Sequence, residues 1–235
     1  MEKKRQITIG GVPGAGKTTT AKKIAALLDF NFYSVGDFRR EIAQIKFDTD
    51  INTLNSLEEA KFLLVDVDVN DYTDMELLSK VEHLDLQEKD IPKLRKIMNL
   101  DTDVEADNMQ KELGMKGNEF IIEGRLAWKF CPKAFSIFFD CDPEVAAERI
   151  LKDNRESEKN FYSIEEAKEA NLRRMESDTK RYEQKYGHGY DCYNPKNFNF
   201  VINTTNLTPE AVVEKVLQVF DEYYGGMEEL ENEEI

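Results

Sequence analysis

The chain has 235 residues, of which 40% are apolar and 34% are charged, and its formal net charge at pH 7 is −15. That length suits one sizeable domain, and the apolar share can supply a substantial buried core. The negative charge argues against a broad nucleic-acid surface, which would need clustered lysines and arginines. It does not exclude an anionic small molecule, because a few local arginines can outweigh the overall sign.

The sequence indicates neither a membrane segment nor a disulfide framework. Its apolar runs fall well short of the roughly 20 residues of a spanning helix, and the residues that follow Met1, up to Gln6, are charged or polar, unlike a signal peptide. The three cysteines, Cys131, Cys141 and Cys192, are widely spaced and form no CxxC pair. We therefore expect a cytoplasmic protein with reduced thiols and no membrane partner.

Short apolar runs alternate with helical patterns along the chain. The runs that predict buried strands are residues 7–9, 31–35, 120–122, 135–139 and 200–202. Strands that alternate with helices form a parallel sheet covered on both faces. The sequence therefore predicts an α/β fold with a five-stranded parallel sheet.

Helix signals fall between these runs. The first predicted helix has apolar residues at i, i+3, i+4 and i+7, namely Ala21, Ile24, Ala25 and Leu28. Three later helices have predicted N-terminal caps, at Asp142, Ser163 and Thr208. Ser163 and Glu166 have the spacing of a capping box, and a proline follows Asp142 and Thr208 at the first helical position.

Two regions depart from the alternation of strands and helices. Residues 46–99 are acidic, and their only strand-like piece is residues 63–71, so we interpret them as an insertion between the second and third strands. Residues 225–235 have two glycines and then a run of glutamates, which predicts a solvated or frayed end. We treat residues 1–235 as one domain that contains this acidic insertion.

The segment GVPGAGKT, residues 11–18, matches the phosphate-binding pattern G-x-x-x-x-G-K-[ST] between a predicted strand and a predicted helix. Its glycines let backbone N–H groups face phosphate oxygens, the lysine reaches the β and γ phosphates, and the threonine hydroxyl binds Mg²⁺. A glycine-rich turn that binds nothing is the alternative, and both flanks argue against it. The predicted ATP-binding residues are Gly11, Val12, Pro13, Gly14, Ala15, Gly16, Lys17, Thr18 and Thr19.

Arginines decide whether such a loop serves phosphoryl transfer, hydrolysis or switching, because a kinase must neutralise charge on two phosphorylated substrates. Arg39 and Arg40 follow the second predicted strand, where ligands of a parallel sheet gather. One predicted helix face carries Arg174, Asp178 and Arg181. An exposed helix ion pair without function is the alternative for this face.

The segment EFIIEGRLAWKF, residues 119–130, places an acid and an arginine where the third strand ends. Taken alone, Glu123 and Arg125 can be an internal salt bridge or two separate parts of a site. The phosphate-binding loop after the first strand and Arg40 after the second favour a site.

Several segments resemble one enzyme family. YSVGDFRRE resembles the S-x-G-D-x-x-R segment of nucleoside monophosphate kinases, and TDVEADNMQKEL resembles a D-x-x-x-D-x-x-Q stretch of the same proteins. The chain is more closely similar to the cytidylate kinase-like proteins of archaea and some bacteria. The shared segments are ITIGG, EGRLAW, DPEVAAERI, RMESDTKRYEQKYG and VINTT.

This resemblance implies a three-layer P-loop NTPase fold with a helical lid over residues 152–190 and residues 46–99 as an insertion in the region that binds the nucleoside monophosphate. It implies a catalytic set of Lys17, Arg125, Arg155, Arg174 and Arg181. The implied acceptor-binding set is Ser34, Asp37, Arg40, Asp103, Asp107, Gln110 and Arg125. It also implies that Thr18 binds Mg²⁺ directly and Glu123 through water.

The residues do not determine which base the acceptor nucleotide carries. Cytosine presents an amino donor beside two acceptors, which suits a carboxylate with an amide on one helix face, but adenine presents similar groups. We expect a kinase for CMP or dCMP, with ATP and Mg²⁺. An adenylate kinase or another small-molecule P-loop kinase is the nearest alternative, and a nucleotide-binding switch or regulatory ATPase is the alternative of another class. We expect a monomer or weak homodimer without a nucleic-acid partner.

Overall fold

The computed structural model describes residues 5–152 and 161–233. The chain divides into two compact units. Residues 1–35 and 110–235 form the first, which we call the sheet unit, and residues 36–109 form the second, which we call the helical unit.

Five parallel strands form the sheet. They are β1 (Gln6–Gly11), β2 (Asn31–Ser34), β3 (Phe120–Glu123), β4 (Phe135–Asp140) and β5 (Phe200–Asn203). Their order across the sheet is β2-β3-β1-β4-β5, and each neighbouring pair is parallel. The five apolar runs of the sequence all form strands, so the predicted five-stranded parallel sheet is confirmed.

Ten α-helices lie in the described residues. In chain order they are α1 (Lys17–Leu28), α2 (Val35–Phe47), α3 (Ile51–Leu63), α4 (Asp74–Lys80), α5 (Ile91–Ile97), α6 (Thr102–Met115), α7 (Ala127–Phe130), α8 (Pro143–Lys152), α9 (Ile164–Tyr186) and α10 (Pro209–Glu233). Within the described ranges, no helix is both long and apolar enough to span a bilayer.

Side chains cover both faces of the sheet, as expected for parallel strands. On one face, alternate residues of the central strands, such as Ile7, Ile9 and Ile137, pack with Ile24 of α1 and Phe220 of α10. On the other face, the Phe138 ring lies 5.1 Å from the Phe198 ring, and Trp128 of α7 lies 5.7 Å from Phe198. Trp128 is therefore a packing residue.

Caps at three helix starts were predicted, and two have the expected form. The Asp142 carboxylate accepts from the Glu144 backbone N–H at 2.9 Å, and Thr208 accepts from the Ala211 N–H at 3.2 Å. Ser163 accepts from the Glu166 N–H at 3.1 Å, but the Glu166 carboxylate binds the N–H of Tyr162 instead of that of Ser163. The predicted capping box is thus half right, because Glu166 satisfies a backbone donor one residue earlier.

Where the sequence predicts a solvated or frayed end, α10 continues through the two glycines to Glu233. Val213, Phe220 and Tyr224 anchor the helix in the core. Extending an anchored helix needs no new nucleation step, so the cost of two glycines does not end it.

The helical unit has its own apolar core, which includes Leu54, Leu57, Leu77, Ile91 and Leu94. Residues 63–71, predicted as strand-like, are the end of α3, a turn and a 3₁₀ helix at Val69–Asp71. That prediction was wrong because the aspartates favour turns: the Asp68 carboxylate accepts from the Asn70 N–H at 3.0 Å.

The three cysteines are buried free thiols, as we expected. Burial raises the pKa of Cys131 from 9.0 to about 11. Burial, with a further contribution from the Asp178 carboxylate, raises the pKa of Cys192 from 9.0 to about 12. These two thiols therefore stay protonated and unreactive near neutral pH.

Candidate active site

The phosphate-binding loop joins the end of β1 to the start of α1, as the motif predicted. Gly14 and Gly16 have left-handed backbone conformations, with φ of 78° and 81°. A Cβ atom at Gly14 would also lie only 2.5 Å from the carbonyl oxygen of Ala146 on α8. The loop therefore needs glycine at position 14 for both its conformation and its packing.

Lys17 folds back over this loop. Its ammonium Nζ donates to the carbonyl oxygens of Gly11 at 3.0 Å and Val12 at 2.7 Å. These bonds hold a positive charge against the loop that begins with Gly11. A phosphate placed there would gain a charge-assisted hydrogen bond, since an ammonium carries three donors.

Thr18 and Glu123 meet although 105 residues separate them along the chain. The Thr18 hydroxyl Oγ1 donates to the Glu123 Oε2 at 2.7 Å. The sheet places them, because β1 pairs with β3 in a register that aligns Ile9 with Glu123. The Gly124 N–H also donates to the Ile9 carbonyl at 3.0 Å, which extends this pairing past the strand end.

Thr18 and Glu123 together offer a hydroxyl and a carboxylate oxygen, the ligand types that Mg²⁺ prefers. Magnesium in kinase sites uses one or two such protein groups and takes further oxygens from the substrate phosphates and water. No group of three or more His, Cys, Asp or Glu side chains able to hold a metal occurs among the described residues. The residues present therefore fit a metal bound jointly with a nucleotide.

Arg125 binds Asp178 of α9. Its Nε lies 2.8 Å from the Asp178 Oδ2 and donates to the Tyr193 hydroxyl at 3.3 Å. Asp178 is 7% exposed, and its Oδ1 lies 3.6 Å from the Arg181 Nη2. The exposed-pair alternative for this helix face is therefore wrong for Asp178, which is a buried counter-ion for two arginines.

Burial acts to lower the pKa of Arg125, but nearby Tyr182, Asp178 and Tyr193 outweigh it and raise the pKa above its ordinary value. The guanidinium is therefore charged at any working pH. Arg174 is exposed on α9, and Arg155 lies outside the described residues.

The predicted acceptor-binding residues are divided between the two units. Ser34 at the end of β2, Gln110 on α6 and Arg125 belong to the sheet unit. The members in the helical unit are Asp37, Arg40, Asp103 and Asp107. The Arg40 Nη1 binds the Asp37 Oδ1 at 2.8 Å, and both side chains are more than half exposed.

On α6, Asp107 and Gln110 are buried and Asp103 is half-buried. Because Asp107 is buried, it is not part of a solvated acidic face. Buried polar side chains normally have a hydrogen-bonding task, which keeps both residues as candidates for reading a base.

A cavity of about 680 Å³ lies beside the phosphate-binding loop, and sequence reasoning did not predict it. Its walls come from the loop, the β4–α8 turn, α9 and the residues after β5, and include Val12, Asp142, Asn171, Met175, Thr205 and Asn206. Several lining residues belong to segments that the sequence singled out: Val12 lies in the predicted ATP-binding loop, and the family-like segments DPEVAAERI and VINTT contribute Asp142 and Thr205.

Arg149 on α8 was also missed. Its Nη2 donates to the Thr204 carbonyl at 2.8 Å and to the Thr205 carbonyl at 3.2 Å. The Thr204 hydroxyl in turn donates to the Asp140 carbonyl at 3.0 Å and to the Ala15 carbonyl at 3.2 Å. These bonds connect the wall of the cavity after β5 to the phosphate-binding loop.

Curated relatives match most of this chain. A cytidylate kinase from Ignicoccus hospitalis is 29% identical over 89% of this chain and 95% of its own length. A cytidylate kinase from Methanobrevibacter smithii is 28% identical, over 90% and 95% respectively. An S-adenosylmethionine-dependent nucleotide dehydratase from Lacinutrix mariniflava is 26% identical over 92% of this chain, which spans only 36% of that protein.

Solved structures share the fold at low identity. An uncharacterized protein from Eubacterium ventriosum has a TM-score of 0.54 and 16% identity, covering 93% of this chain and 99% of its own. The shikimate kinase from Acinetobacter baumannii, in complex with shikimate, has a TM-score of 0.50 and 13% identity, covering 94% and 96%. These likenesses support the predicted P-loop fold.

The model of the cytidylate kinase-like family matches residues 6–206, which include the whole sheet, the phosphate-binding loop and the Glu123–Arg125 turn. The predicted enzyme class, a nucleoside monophosphate kinase, is confirmed at the level of the family. The chain belongs to the cytidylate kinase-like family.

Proposed function

We propose that this protein is an ATP- and Mg²⁺-dependent kinase that transfers the γ-phosphate of ATP to CMP or dCMP. The observation that carries the proposal is the end of β3, where Glu123 binds the Thr18 hydroxyl and Arg125, two residues later, binds Asp178. One short segment thus contributes an acid next to the start of α1 and a cation that shares the Asp178 carboxylate with Arg181 of α9.

On the donor side, the backbone of the phosphate-binding loop and the start of α1 cradle the phosphates of ATP. Lys17 exchanges its bonds to the Gly11 and Val12 carbonyls for bonds to the β and γ phosphates. The cavity beside the loop accepts the rest of the donor, because 680 Å³ lies within the range of small-molecule sites.

Thr18 would hold Mg²⁺ through its hydroxyl, and Glu123, which accepts a hydrogen bond from that hydroxyl, would hold it through water. The bound ion supplies charge neutralisation on the phosphates. Glu123 also orients the Thr18 hydroxyl, because its carboxylate accepts a hydrogen bond from that hydroxyl.

On the acceptor side, Arg125 and Arg40 bind the α-phosphate, and Arg155, Arg174 and Arg181 act on the transferring phosphates. The chain's net charge of −15 would repel a nucleotide, so the local cations must supply the attraction. The Asp178 carboxylate holds Arg125 and orients it before the substrate arrives.

The α6 residues Asp103, Asp107 and Gln110 are the proposed readers of the acceptor base. A carboxylate accepts from the cytosine amino group, and an amide can donate to its ring acceptors. Adenine presents an amino group too, so an adenylate kinase is the nearest rival within the same class.

The acceptor phosphate is the nucleophile, and it attacks the γ-phosphorus in line with the leaving oxygen. It is already an anion near neutral pH, so the chain needs no dedicated general base. The arginines position both substrates, and exclusion of water favours transfer over hydrolysis.

A nucleotide-binding switch or regulatory ATPase is the rival of another class. Arg125 and Arg181 share one buried carboxylate, an arrangement suited to a second phosphate that a switch does not have. We do not propose dehydratase activity for this chain, because most of the Lacinutrix mariniflava protein lies outside the match.

The purified chain with ATP and Mg²⁺ is offered CMP, dCMP, UMP, AMP, GMP and shikimate in turn, and diphosphate or shikimate phosphate formation is measured. We expect the largest kcat/KM with CMP or dCMP, and no turnover when EDTA removes Mg²⁺. ATP hydrolysis without phosphorylation of any acceptor would contradict the kinase proposal. Preference for AMP would keep the enzyme class and overturn the base specificity.

A further inference from the structure

An aromatic cluster surrounds the Arg125–Asp178 pair in the sheet unit. Its buried members are Leu126, Phe130, Tyr182 and Cys192, and its partly buried members are Tyr186, Tyr190 and Tyr193. Neither the sequence motifs nor the proposed reaction assigns a task to any of these tyrosines.

Tyr193 differs from the others because its hydroxyl completes a triangle of hydrogen bonds. It donates to the Asp178 Oδ2 at 2.8 Å and accepts from the Arg125 Nε at 3.3 Å. The Arg125 Nε also contacts the same Asp178 oxygen at 2.8 Å. These contacts therefore restrict the positions of all three side chains.

The backbone of Tyr193 is itself held in place. The Asp191 carboxylate accepts from the Tyr193 N–H at 2.9 Å, and the Asn197 side-chain amide donates to the Asp191 carbonyl at 2.9 Å. The intervening Cys192 is completely buried. The hydroxyl therefore projects from an anchored turn.

The contacts to Asp178 and Tyr193 both use Nε of Arg125, whereas the terminal nitrogens Nη1 and Nη2 form the fork that binds phosphate in a bidentate way. Holding a guanidinium by Nε sets the plane and direction of that fork. An arginine loses rotamer entropy when it is immobilised, so holding it beforehand reduces the cost of binding.

We propose that Tyr193 is a positioning residue, which acts through Asp178 to aim the terminal nitrogens of Arg125 at the acceptor's phosphate. This inference rests on the proposed function, in which Arg125 binds that phosphate. Burial raises the pKa of Tyr193, although Arg125 opposes that rise, so the hydroxyl keeps its proton and donates throughout the neutral range.

The test is Tyr193→Phe, which keeps the ring and removes only the hydroxyl. We expect kcat/KM for the preferred acceptor to fall roughly tenfold, through KM more than kcat, while KM for ATP stays unchanged. Tyr190→Phe is the matched control, because Tyr190 lies in the same cluster and stacks on Tyr186 at 5.0 Å. The control should keep the acceptor KM of the wild type.

A double-mutant cycle separates positioning from general stability. If Tyr193 acts through Arg125, then Tyr193→Phe should cost nothing further in an Arg125→Ala background. An equal loss in both backgrounds, or equal losses in the KM values of ATP and acceptor, would overturn the inference. The ATP KM measured on the same sample also reports whether a weakened variant still has a folded donor site.

The two proposals fail in different ways. A wild-type protein that phosphorylates no acceptor overturns the proposed function and this inference with it. An active wild type with an unchanged Tyr193→Phe variant overturns the inference alone.

Discussion

The sheet unit and the helical unit use their charged and polar side chains differently. In the sheet unit, groups far apart in sequence meet beside strand ends, as Thr18 does with Glu123 and Arg125 with Asp178. In the helical unit, Arg39 pairs with Glu58, and Arg95 binds Asp74 at 2.9 Å. Parallel strands bring remote residues to one edge, whereas these helices mostly use their charges to hold each other.

Arg39 and Arg40 show this contrast in neighbouring residues. Arg39 and its partner Glu58 are at most 20% exposed, while Arg40 and its partner Asp37 are more than half exposed. We expect Arg39 to stabilise the helical unit and Arg40 to serve the acceptor.

Lys17→Ala should lower kcat/KM by about a hundredfold to a thousandfold, as expected when a preorganised electrostatic group is lost. The melting temperature should change little, because the ammonium donates to carbonyls of its own loop, and water can replace it there. Steady-state kinetics and thermal unfolding check this together. A variant that keeps its activity would show that the phosphate-binding loop is not the donor site.

Glu123→Gln should weaken the apparent Mg²⁺ affinity roughly tenfold to a hundredfold, a typical cost for a group that orients a metal ligand. The amide oxygen can still accept from the Thr18 hydroxyl, so the fold should persist. The measurement is activity as a function of Mg²⁺ concentration at saturating substrates. An unchanged Mg²⁺ dependence would leave Glu123 a purely structural partner of Thr18.

Arg40→Ala should lower kcat/KM for the acceptor by about tenfold to a hundredfold, the effect of losing a charge-assisted phosphate bond. Its exposed pair with Asp37 should contribute less than about 1 kcal/mol to stability. Acceptor kinetics and urea unfolding are measured on the same preparation.

Arg39→Ala is the matched control, and we expect it to affect stability rather than acceptor kinetics. It should lower the free energy of unfolding by roughly 1–3 kcal/mol, because Glu58 is left half-buried without its partner. Its acceptor KM should stay close to that of the wild type. If the two variants exchange these effects, the division of tasks between the neighbouring arginines is wrong.

The smallest effect is expected from alkaline pH. The folded pKa values of Cys131 and Cys192, about 11 and about 12, lie above the ordinary value of 9.0. Their contribution to stability is therefore complete below about pH 9 and is lost as pH rises toward those values, because the folded state binds more protons. Urea midpoints between pH 8 and 10.5 should fall, and the fall should be shallower in a Cys131→Ala, Cys192→Ala variant.

Most of the sheet unit could be predicted because its signals are local. Five apolar runs predicted five strands, and the glycines with Lys17 predicted the phosphate-binding loop between β1 and α1. Asp142 and Thr208 predicted helix starts, since a capping side chain needs only the next few backbone N–H groups.

The helical unit was less predictable. Residues 63–71 alternate like a strand, yet a strand needs a partner, and the chain forms a helix end and a turn there instead. The cavity beside the loop and the bonds of Arg149 were missed for a related reason, because both depend on residues after β5 that come close only in the folded sheet.

Local sequence patterns predict the strands, the phosphate-binding loop, and the acid and arginine at the end of the third strand. The partners of these residues depend on the folded chain: the register of β1 with β3 brings Glu123 to Thr18, and the packing of α9 brings Asp178 to Arg125. Residue types and their local periodicity can be obtained directly from the sequence. The pairing of side chains as far as 105 residues apart depends on strand order and helix packing, which no local pattern encodes.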